Sequence, residues 1–199
     1  AYLYALPYEL YEKHRVRRYG FHGTSHRYVS SQAAKVLGRP LASLKMVTAH
    51  LGNGSSLAAI DGGKVIDTSM GLTPLEGLVM GTRSGDLDPA IVPLIGNKLK
   101  LTPDQADEFL NKKSGFVGMT GYSDMRDIQR ERQAGNPRAQ EAYDLFIYRI
   151  TKYIGAYTAA LKGLDVLVFT AGIGENDWQT RADICRELEF FGEIGRAHV

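Results

Sequence analysis

Two short polar segments of this sequence hold the side chains best suited to act on a phosphoryl group. Gly81-Thr82-Arg83-Ser84-Gly85-Asp86-Leu87-Asp88 carries one arginine between glycines. A guanidinium on such a flexible frame can reach a phosphoryl group and place two N–H donors on its oxygens. Asp86 and Asp88 could instead pair with this arginine or cap a helix, and the residues alone leave both interpretations open.

The second segment, His22-Gly23-Thr24-Ser25-His26, places two histidines four residues apart. Zinc sites use this spacing on helices, but Gly23 and the short polar run argue against a helix here. No third ligand is suggested, so the sequence predicts no metal site. His22 could donate a hydrogen bond to a transferring phosphoryl group, or it could be a histidine whose partners are purely structural.

Two glycine-rich segments could bind an anion through their backbone N–H groups. His50-Leu51-Gly52-Asn53-Gly54-Ser55-Ser56 reads as strand, glycine turn and strand, although an ordinary Asn-Gly hairpin explains the same pattern. Gly172-Ile173-Gly174-Glu175-Asn176 follows an apolar strand and precedes a helix, where α/β folds bind ligands. Asp177 stands where a dinucleotide fingerprint has its third glycine, which argues against that class, and the sequence has no P-loop.

Asp124-Met125-Arg126-Asp127 follows the glycine-rich turn from Gly118 to Gly121. This cluster could hold a ribose, or Arg126 could stack on a purine ring. Such clusters are more often a helix cap with local ion pairs, and both interpretations stay open.

The elements that must position these residues are predicted from hydrophobic spacing and turn residues. Three strands, Met46–His50, Ser55–Ile60 and Lys64–Asp67, are joined by turns so tight that they form an antiparallel meander. A glycine- and proline-rich loop, Thr68 to Asp88, follows. The fold class is therefore α/β with a mixed sheet and flanking helices, since the meander argues against a purely parallel sheet.

The helices and the last strand are predicted around this meander. Tyr143, Ile147, Ile150, Ile154 and Tyr157 repeat at helical spacing, which predicts packing in the core or a subunit interface. Thr102 and Asn136 are the expected N-caps, because each precedes a proline. The predicted helices are Glu9–His14, Ser30–Leu37, Pro89–Leu99, Pro103–Lys112, about Pro137–Leu161 and one from Asp177 towards Phe190, and the strand is Asp165–Thr170.

Composition excludes several classes of protein. The 199 residues carry 24 basic and 22 acidic side chains without a charged run, so no nucleic-acid or membrane partner is indicated. The single Cys185 and the absence of a signal-peptide pattern predict a cytoplasmic protein. The chain opens without Met, which we interpret as a fragment. Residues 193–199 look like a translated adapter sequence, so one domain over residues 1–192 is expected.

The order of the motifs resembles the acetate kinase family, and the resemblance covers essentially residues 1–192. It is carried by Tyr19-Gly20-Phe21-His22-Gly23-Thr24-Ser25-His26, His50-Leu51-Gly52-Asn53-Gly54-Ser55-Ser56, Met70-Gly71-Leu72-Thr73-Pro74-Leu75-Glu76-Gly77-Leu78, Gly81-Thr82-Arg83-Ser84-Gly85-Asp86, and Phe169-Thr170-Ala171-Gly172-Ile173-Gly174-Glu175-Asn176.

This resemblance implies a ribonuclease H-like mixed sheet of the actin-like ATPase type, with helical insertions. It implies reversible phosphoryl transfer between ATP and acetate, giving ADP and acetyl phosphate, with Mg²⁺ whose ligand residue is expected outside residues 1–199. It implies a homodimer of the full-length protein. The implied site residues are the catalytic His22 and Arg83; the nucleotide-binding His50, Leu51, Gly52, Asn53, Gly54, Asp124, Met125, Arg126, Gly172, Ile173, Gly174, Glu175 and Asn176; and Phe21 and Pro74 in the pocket for the acetate methyl.

Three other interpretations stay open at the level of sequence. The protein could be a propionate or other short-chain acyl kinase, since one methylene changes binding by only about 1–3 kcal/mol. It could be a non-catalytic nucleotide-binding module of the same superfamily. The fragment could also fail to fold alone, and by itself it is expected to bind nucleotide weakly and to turn over little.

Overall fold

The computed structural model describes residues 2–192, and its centre is a four-stranded sheet. The strands are β1 (Lys45–Leu51), β2 (Ser55–Asp61), β3 (Lys64–Thr68) and β4 (Val166–Thr170), in the order β3-β2-β1-β4. The first three strands form the antiparallel meander that the tight turns predict, and β4 lies parallel to β1. The mixed sheet is therefore confirmed.

Helices cover both faces of this sheet. Thr102 and Gln105 form a reciprocal capping box at one helix start, and the Asn136 side chain caps another, as predicted. The helices are α1 (Tyr8–His14), α2 (Gly23–Val36), α3 (Ile91–Leu99), α4 (Pro103–Lys112), α5 (Gly115–Thr120), α6 (Met125–Gln133), α7 (Pro137–Leu161), α8 (Ala171–Asn176) and α9 (Trp178–Glu187), with 3₁₀ turns at Leu41–Ser43 and Glu189–Phe191.

The core lies on both sides of the sheet. The predicted stripe on α7 is buried against it, from Tyr143 to Tyr157, and α9 adds Ile184. On the other face, Ala34 of α2 packs with Met46 and Ile60. Because helices cover both faces, β1 and β2 are almost entirely buried, which leaves the turn between them as the accessible part.

Four helices differ from the predictions, and one of them, α6, was not predicted as a helix at all. α2 begins at Gly23, so the argument against a helix at His22–His26 was wrong. Burial of the His26 side chain against β1 and β2 outweighs the weak helix propensity of this polar run. The segment after Thr170 is the short helix α8 rather than a loop, since the Glu175 carboxylate accepts from Ala171 N and holds the turn. The glycine-rich stretch before Gly121 is helix α5, which ends at that glycine.

The predicted adapter-derived tail, residues 193–199, lies outside the described residues. Between residues 2 and 192, no helix is both long and apolar enough to cross a bilayer.

Candidate functional site

Three histidine rings meet where the start of α2 reaches the end of β1. His22 precedes α2, His26 lies in its first turn, and His50 lies near the end of β1. The His22 and His50 rings are stacked, with centroids 4.0 Å apart and planes 19° apart. His22 holds a left-handed backbone conformation (φ 59°), which is uncommon for a residue with a side chain. The fold therefore fixes the direction in which this ring points.

Hydroxyl groups hold each of these rings. The Ser56 Oγ on β2 lies 2.9 Å from His22 Nδ1 and 2.8 Å from His26 Nε2. On its other side, His26 Nδ1 lies 2.7 Å from the Thr48 Oγ1 of β1. His50 Nδ1 contacts the Ser25 Oγ at 2.9 Å. The histidines are thus oriented by hydroxyl groups from the two central strands and from α2.

All three histidines are held in the neutral form. Burial lowers the pKa of His22 to about 4, and repulsion by His50, when that ring is protonated, and by the Arg83 charge adds to this effect. Burial also lowers the pKa of His26 to about 4, with contributions from the other two rings. The pKa of His50 is lowered by burial as well, although Glu175 opposes the shift. At neutral pH each ring therefore carries one N–H hydrogen rather than two.

The Arg83 side chain reaches the same point from the glycine-rich loop after β3. A Cβ atom built on Gly54 would lie 3.4 Å from Arg83 Nη1 and 3.7 Å from His22 Nε2. The guanidinium is steadied by the Pro74 carbonyl oxygen at 3.3 Å and the Met80 sulfur at 3.6 Å. An imidazole and a guanidinium thus converge on the backbone of the β1–β2 turn.

The alternative partners of Arg83 are occupied elsewhere. The Asp86 carboxylate accepts from the Gly77 backbone N–H and the Tyr153 hydroxyl, and lies 3.6 Å from Arg149. Asp88 accepts from Ala90 N at the start of α3. Within residues 2–192 no carboxylate lies within ion-pair distance of Arg83, so its positive charge faces the site unpaired.

A cavity of about 940 Å³ opens on the other side of the β1–β2 turn. Its walls come from the turn after β1, from α8, which follows the parallel neighbour β4, and from α6 and α9. The carboxyl ends of parallel strands are where α/β folds bind ligands. Eight of the predicted nucleotide-binding residues line this cavity: Gly52, Asn53, Asp124, Met125, Arg126, Gly172, Ile173 and Asn176.

The remaining predicted residues lie outside the cavity lining. Leu51 is fully buried in the core, and Gly174 is buried against Ala49 and Phe169. Gly54 and His50 belong to the histidine–arginine cluster. Glu175 accepts from the Thr170 hydroxyl and Ala171 N, so it shapes the start of α8.

The Asp124 cluster is a helix cap, as one of its two interpretations held. Asp124 accepts from Arg126 N at the start of α6, and its carboxylate also binds the Arg126 guanidinium. These contacts lower the pKa of Asp124 to about 2. The Arg126 side chain is 90% exposed and lies at the cavity, so the cap holds a cation at the mouth of a ligand-sized space.

Sequence reasoning missed half of the cavity lining. One face of α6 lines the cavity with four polar side chains at helical spacing: Arg126, Gln129, Arg130 and Gln133. If α6 had been predicted from the sequence, this spacing would have indicated a wall of the cavity. Trp178 follows the Asp177 cap of α9 and is 67% exposed. The lining residues that were not predicted are Phe116, Ser123, Gln129, Arg130, Gln133, Asp177, Trp178 and Gln179.

Gly81 lies at the edge of the cavity, where the loop that carries Arg83 packs on the β1–β2 turn. The Gly81 backbone N–H donates to the Asn53 carbonyl oxygen at 3.1 Å. A Cβ on Gly81 would lie 1.7 Å from the present position of the Asn53 side-chain oxygen and 2.9 Å from the Ser123 backbone carbonyl oxygen. A side chain at this position would therefore displace Asn53 and disturb the contact between the loop that carries Arg83 and the β1–β2 turn.

The predicted acetate pocket is only partly defined. The Pro74 carbonyl oxygen accepts from Arg83, and Phe21 precedes His22 directly in the chain, so Pro74 lies near Arg83 and Phe21 near His22. Their contact with an acetate methyl stays a prediction.

A mixed sheet with helices on both faces and a cavity beyond the ends of β1 and β4 defines an α/β ligand-binding domain. The chain belongs to the acetokinase family, whose sequence model matches residues 1–195. Acetokinases are phosphotransferases, and their fold is the actin-like ATPase fold. The family resemblance read from the motifs is therefore confirmed.

The similarity covers almost all of this chain but only about half of each relative. Acetate kinase of Treponema denticola is 63% identical over 192 residues, which cover 96% of this chain and 48% of that protein. The crystal structure of Porphyromonas gingivalis acetate kinase matches with a TM-score of 0.94 and 52% identity, over 96% of this chain and 48% of that one. A propionate kinase structure from Francisella tularensis matches with a TM-score of 0.92 and 47% identity, over 96% and 49%. The chain thus spans about half the length of the curated relatives it matches.

Proposed function

We propose that this chain is the nucleotide-binding half of a kinase that moves a phosphoryl group between ATP and acetate. The convergence of His22 Nε2 and the unpaired Arg83 guanidinium at Gly54 carries the proposal. The same β1–β2 turn borders the cavity through Gly52 and Asn53, so a nucleotide there would direct its terminal phosphate towards both donors. Relatives named acetate kinase support this choice of reaction.

The chemistry needs positioning and positive charge rather than a base. An oxygen of the acetate carboxylate attacks the γ-phosphorus, and the bond to the ADP oxygen breaks on the opposite side. Acetate is already an anion at neutral pH, so no proton has to leave. Arg83 would place two donors on the equatorial oxygens, and His22 would donate one hydrogen bond. A neutral His22 is suited to this role as a donor.

The cavity would hold the nucleotide outside the reacting group. Arg126, kept in place by Asp124, offers a planar cation for stacking on the base or pairing with a ribose oxygen. Asn53 and the α8 start at Gly172 border the space where phosphates would enter. The residues that contact adenosine remain part of this proposal.

Mg²⁺ is expected from the family, with its ligand outside this chain. Within residues 2–192, no three histidine, cysteine or acidic side chains are grouped so as to hold a metal ion. No step of the reaction is assigned to the ion.

Acetate is preferred over propionate as the acceptor on the basis of the curated relatives. The propionate kinase structure among the matches keeps the longer substrate as the second candidate. A non-catalytic nucleotide-binding module is the third, and the unpaired Arg83 beside His22 argues against it. A homodimer of the complete protein and a cytoplasmic location stay predictions, of which the first can be checked by light scattering.

The test replaces the matching segment of the Treponema denticola acetate kinase with residues 1–192 of this chain and keeps all the rest of that protein. We expect the chimera to form acetyl phosphate from ATP and acetate, with a higher kcat/KM for acetate than for propionate. A higher value for propionate would move the assignment to a propionate kinase. A folded chimera that binds ADP but forms neither acyl phosphate would favour the non-catalytic module.

A further inference from the structure

A continuous row of hydrogen bonds leads from the inside of the sheet to His22. Thr48 contacts His26, His26 contacts Ser56, and Ser56 contacts His22, with distances from 2.7 to 2.9 Å. Thr48 and Ser56 are fully buried, and His26 is 2% exposed. No substrate can reach these three side chains, yet the row of hydrogen bonds that they form ends at the His22 ring, which faces the proposed phosphoryl site. The family resemblance assigns a role to His22 and none to the other three.

The position of one hydrogen decides whether His22 can act. A neutral imidazole has a hydrogen on one ring nitrogen and a lone pair on the other. Phosphoryl oxygens accept hydrogen bonds, so His22 contributes only when its hydrogen is on Nε2, the nitrogen that faces Gly54. With the hydrogen on Nδ1, His22 would present a lone pair to the phosphoryl group and repel it.

The partner groups set that position. The Ser56 hydroxyl has one hydrogen, and its side-chain partners within residues 2–192 are two histidine rings. If it accepted from both rings, its own buried hydrogen would have no acceptor, so it donates to one ring and accepts from the other. If Ser56 donates to His22 Nδ1, the His22 hydrogen must lie on Nε2. Ser56 then accepts from His26 Nε2, and His26 Nδ1 accepts from the Thr48 hydroxyl. Every hydrogen in this arrangement has an acceptor once the phosphoryl group is bound.

The opposite arrangement leaves a buried hydrogen without an acceptor. If Ser56 donated to His26, then His26 Nδ1 would carry the hydrogen and donate to Thr48. The Thr48 hydroxyl would have to donate elsewhere, and His26 is its one polar side-chain partner within residues 2–192. A buried donor without an acceptor costs about 1–3 kcal/mol. The favoured arrangement is therefore the one in which Thr48 donates to His26 and Ser56 donates to His22.

We propose that Thr48, His26 and Ser56 are positioning residues, which hold the hydrogen of His22 on Nε2 and so make this ring a donor to the transferred phosphoryl group. No proton moves along the row; the groups fix which nitrogen carries it. The inference rests on the proposed phosphoryl-transfer function for its purpose, but the location of the hydrogen can be measured without any turnover.

The direct test is nitrogen-15 NMR of this chain with labelled histidine. The sequence has only five histidines, and His22→Gln identifies the signal of His22 by its loss. We expect the hydrogen of His22 on Nε2 in the unsubstituted chain. In Ser56→Ala and Thr48→Val, we expect a mixture or a shift to Nδ1, because the donor to Nδ1 or the start of the row is gone. Thr48→Ser keeps a hydroxyl and should keep Nε2.

The kinetic test uses the chimera described above. Removing a transition-state donor outright lowers kcat by about 10²–10³-fold. A mispositioned donor should lose less, so we expect Ser56→Ala to lower kcat about 10- to 100-fold, with nearly unchanged KM for ATP. Thr48→Val should lower it about 3- to 10-fold, and Thr48→Ser should restore it. Ser69→Ala is the matched control, since Ser69 is also fully buried but bonds Leu57 N outside the row.

The outcomes separate the two proposals. A hydrogen on Nδ1 of His22 in the unsubstituted chain overturns the positioning role, whatever the enzyme does. So does an unchanged kcat in both Thr48→Val and Ser56→Ala, or an equal loss in Ser69→Ala. If the hydrogen lies on Nε2 and depends on Ser56, but the chimera transfers no phosphoryl group, the positioning of the ring stands and the kinase function fails.

Discussion

Replacement of Arg83 tests the site most sharply, because this side chain has a role in the proposed chemistry and little role in the fold. Its guanidinium contacts one carbonyl oxygen and one thioether sulfur, and no carboxylate within residues 2–192 pairs with it. We therefore expect Arg83→Ala to change the free energy of unfolding by less than about 1 kcal/mol. The same change should remove most of the turnover.

The magnitude follows from where the guanidinium lies. Its Nη1 is 3.4 Å from the point that a Cβ on Gly54 would occupy, so a phosphoryl oxygen above Gly54 would be in hydrogen-bond range. Two unit charges about 4 Å apart interact by about 4 kcal/mol at an effective dielectric constant of about 20. Only charge that develops in the transition state counts, so we expect a loss of about 10²–10³-fold in kcat.

The assay compares Arg83→Ala and Arg83→Lys in the chimera. Lysine keeps the charge but loses the planar fork, so its kcat should fall between those of alanine and arginine. Arg138→Ala is the matched control, since Arg138 is exposed at the start of α7 and its side chain makes no ion pair within residues 2–192. A raised KM for ATP with unchanged kcat in Arg83→Ala would refute the reasoning, because Arg83 would then bind ground state and transition state equally.

Three further predictions follow from the cavity and the histidines. ADP should change the fluorescence of Trp178, the single tryptophan, and Arg126→Ala should weaken that binding about 3- to 10-fold, a modest effect since its side chain is exposed. Gly81→Ala should weaken ADP binding, measured by the same fluorescence, because the new methyl would displace the Asn53 side chain. Stability to urea should fall as the pH drops from about 6.5 towards about 4, because the unfolded chain takes up a proton that folded His22 does not.

Controls keep these predictions specific. In Gly96→Ala the new Cβ would lie 3.6 Å from the Leu101 carbonyl oxygen, an ordinary contact distance, on a helical backbone outside the cavity lining, so this change should leave ADP binding unchanged. If Gly81→Ala binds ADP as well as Gly96→Ala does, the packing argument at the β1–β2 turn is wrong. The pH dependence should be weaker in His22→Gln, and an identical curve would contradict the depressed pKa of His22. An unchanged Trp178 signal at saturating ADP would place the nucleotide outside the cavity.

The sequence predicted those elements of the fold that are specified by turn residues and hydrophobic spacing within a short segment. The tight turns at Gly52–Gly54 and Asp61–Gly63 predicted the meander, and the apolar spacing predicted the buried face of α7. The start of α2 and the helices α6 and α8 were not predicted. Their sequences are polar or rich in glycine, and contacts with the sheet and the caps at Asp124 and Glu175 stabilise them.

The sequence by itself determined which chemical groups are present and, through the order of the motifs, the family. It could not decide which groups act together. Arg83 and Asp86 are neighbours in the chain, yet Asp86 turns to Tyr153 while Arg83 turns to the histidines. In the sequence Ser56 is only the last residue of the glycine-turn segment that begins at His50, but in the folded chain it lies between His22 and His26. Hydrogen bonds and close ion pairs form only between groups a few ångströms apart, so the packing of the helices on the sheet decides which side chains become partners.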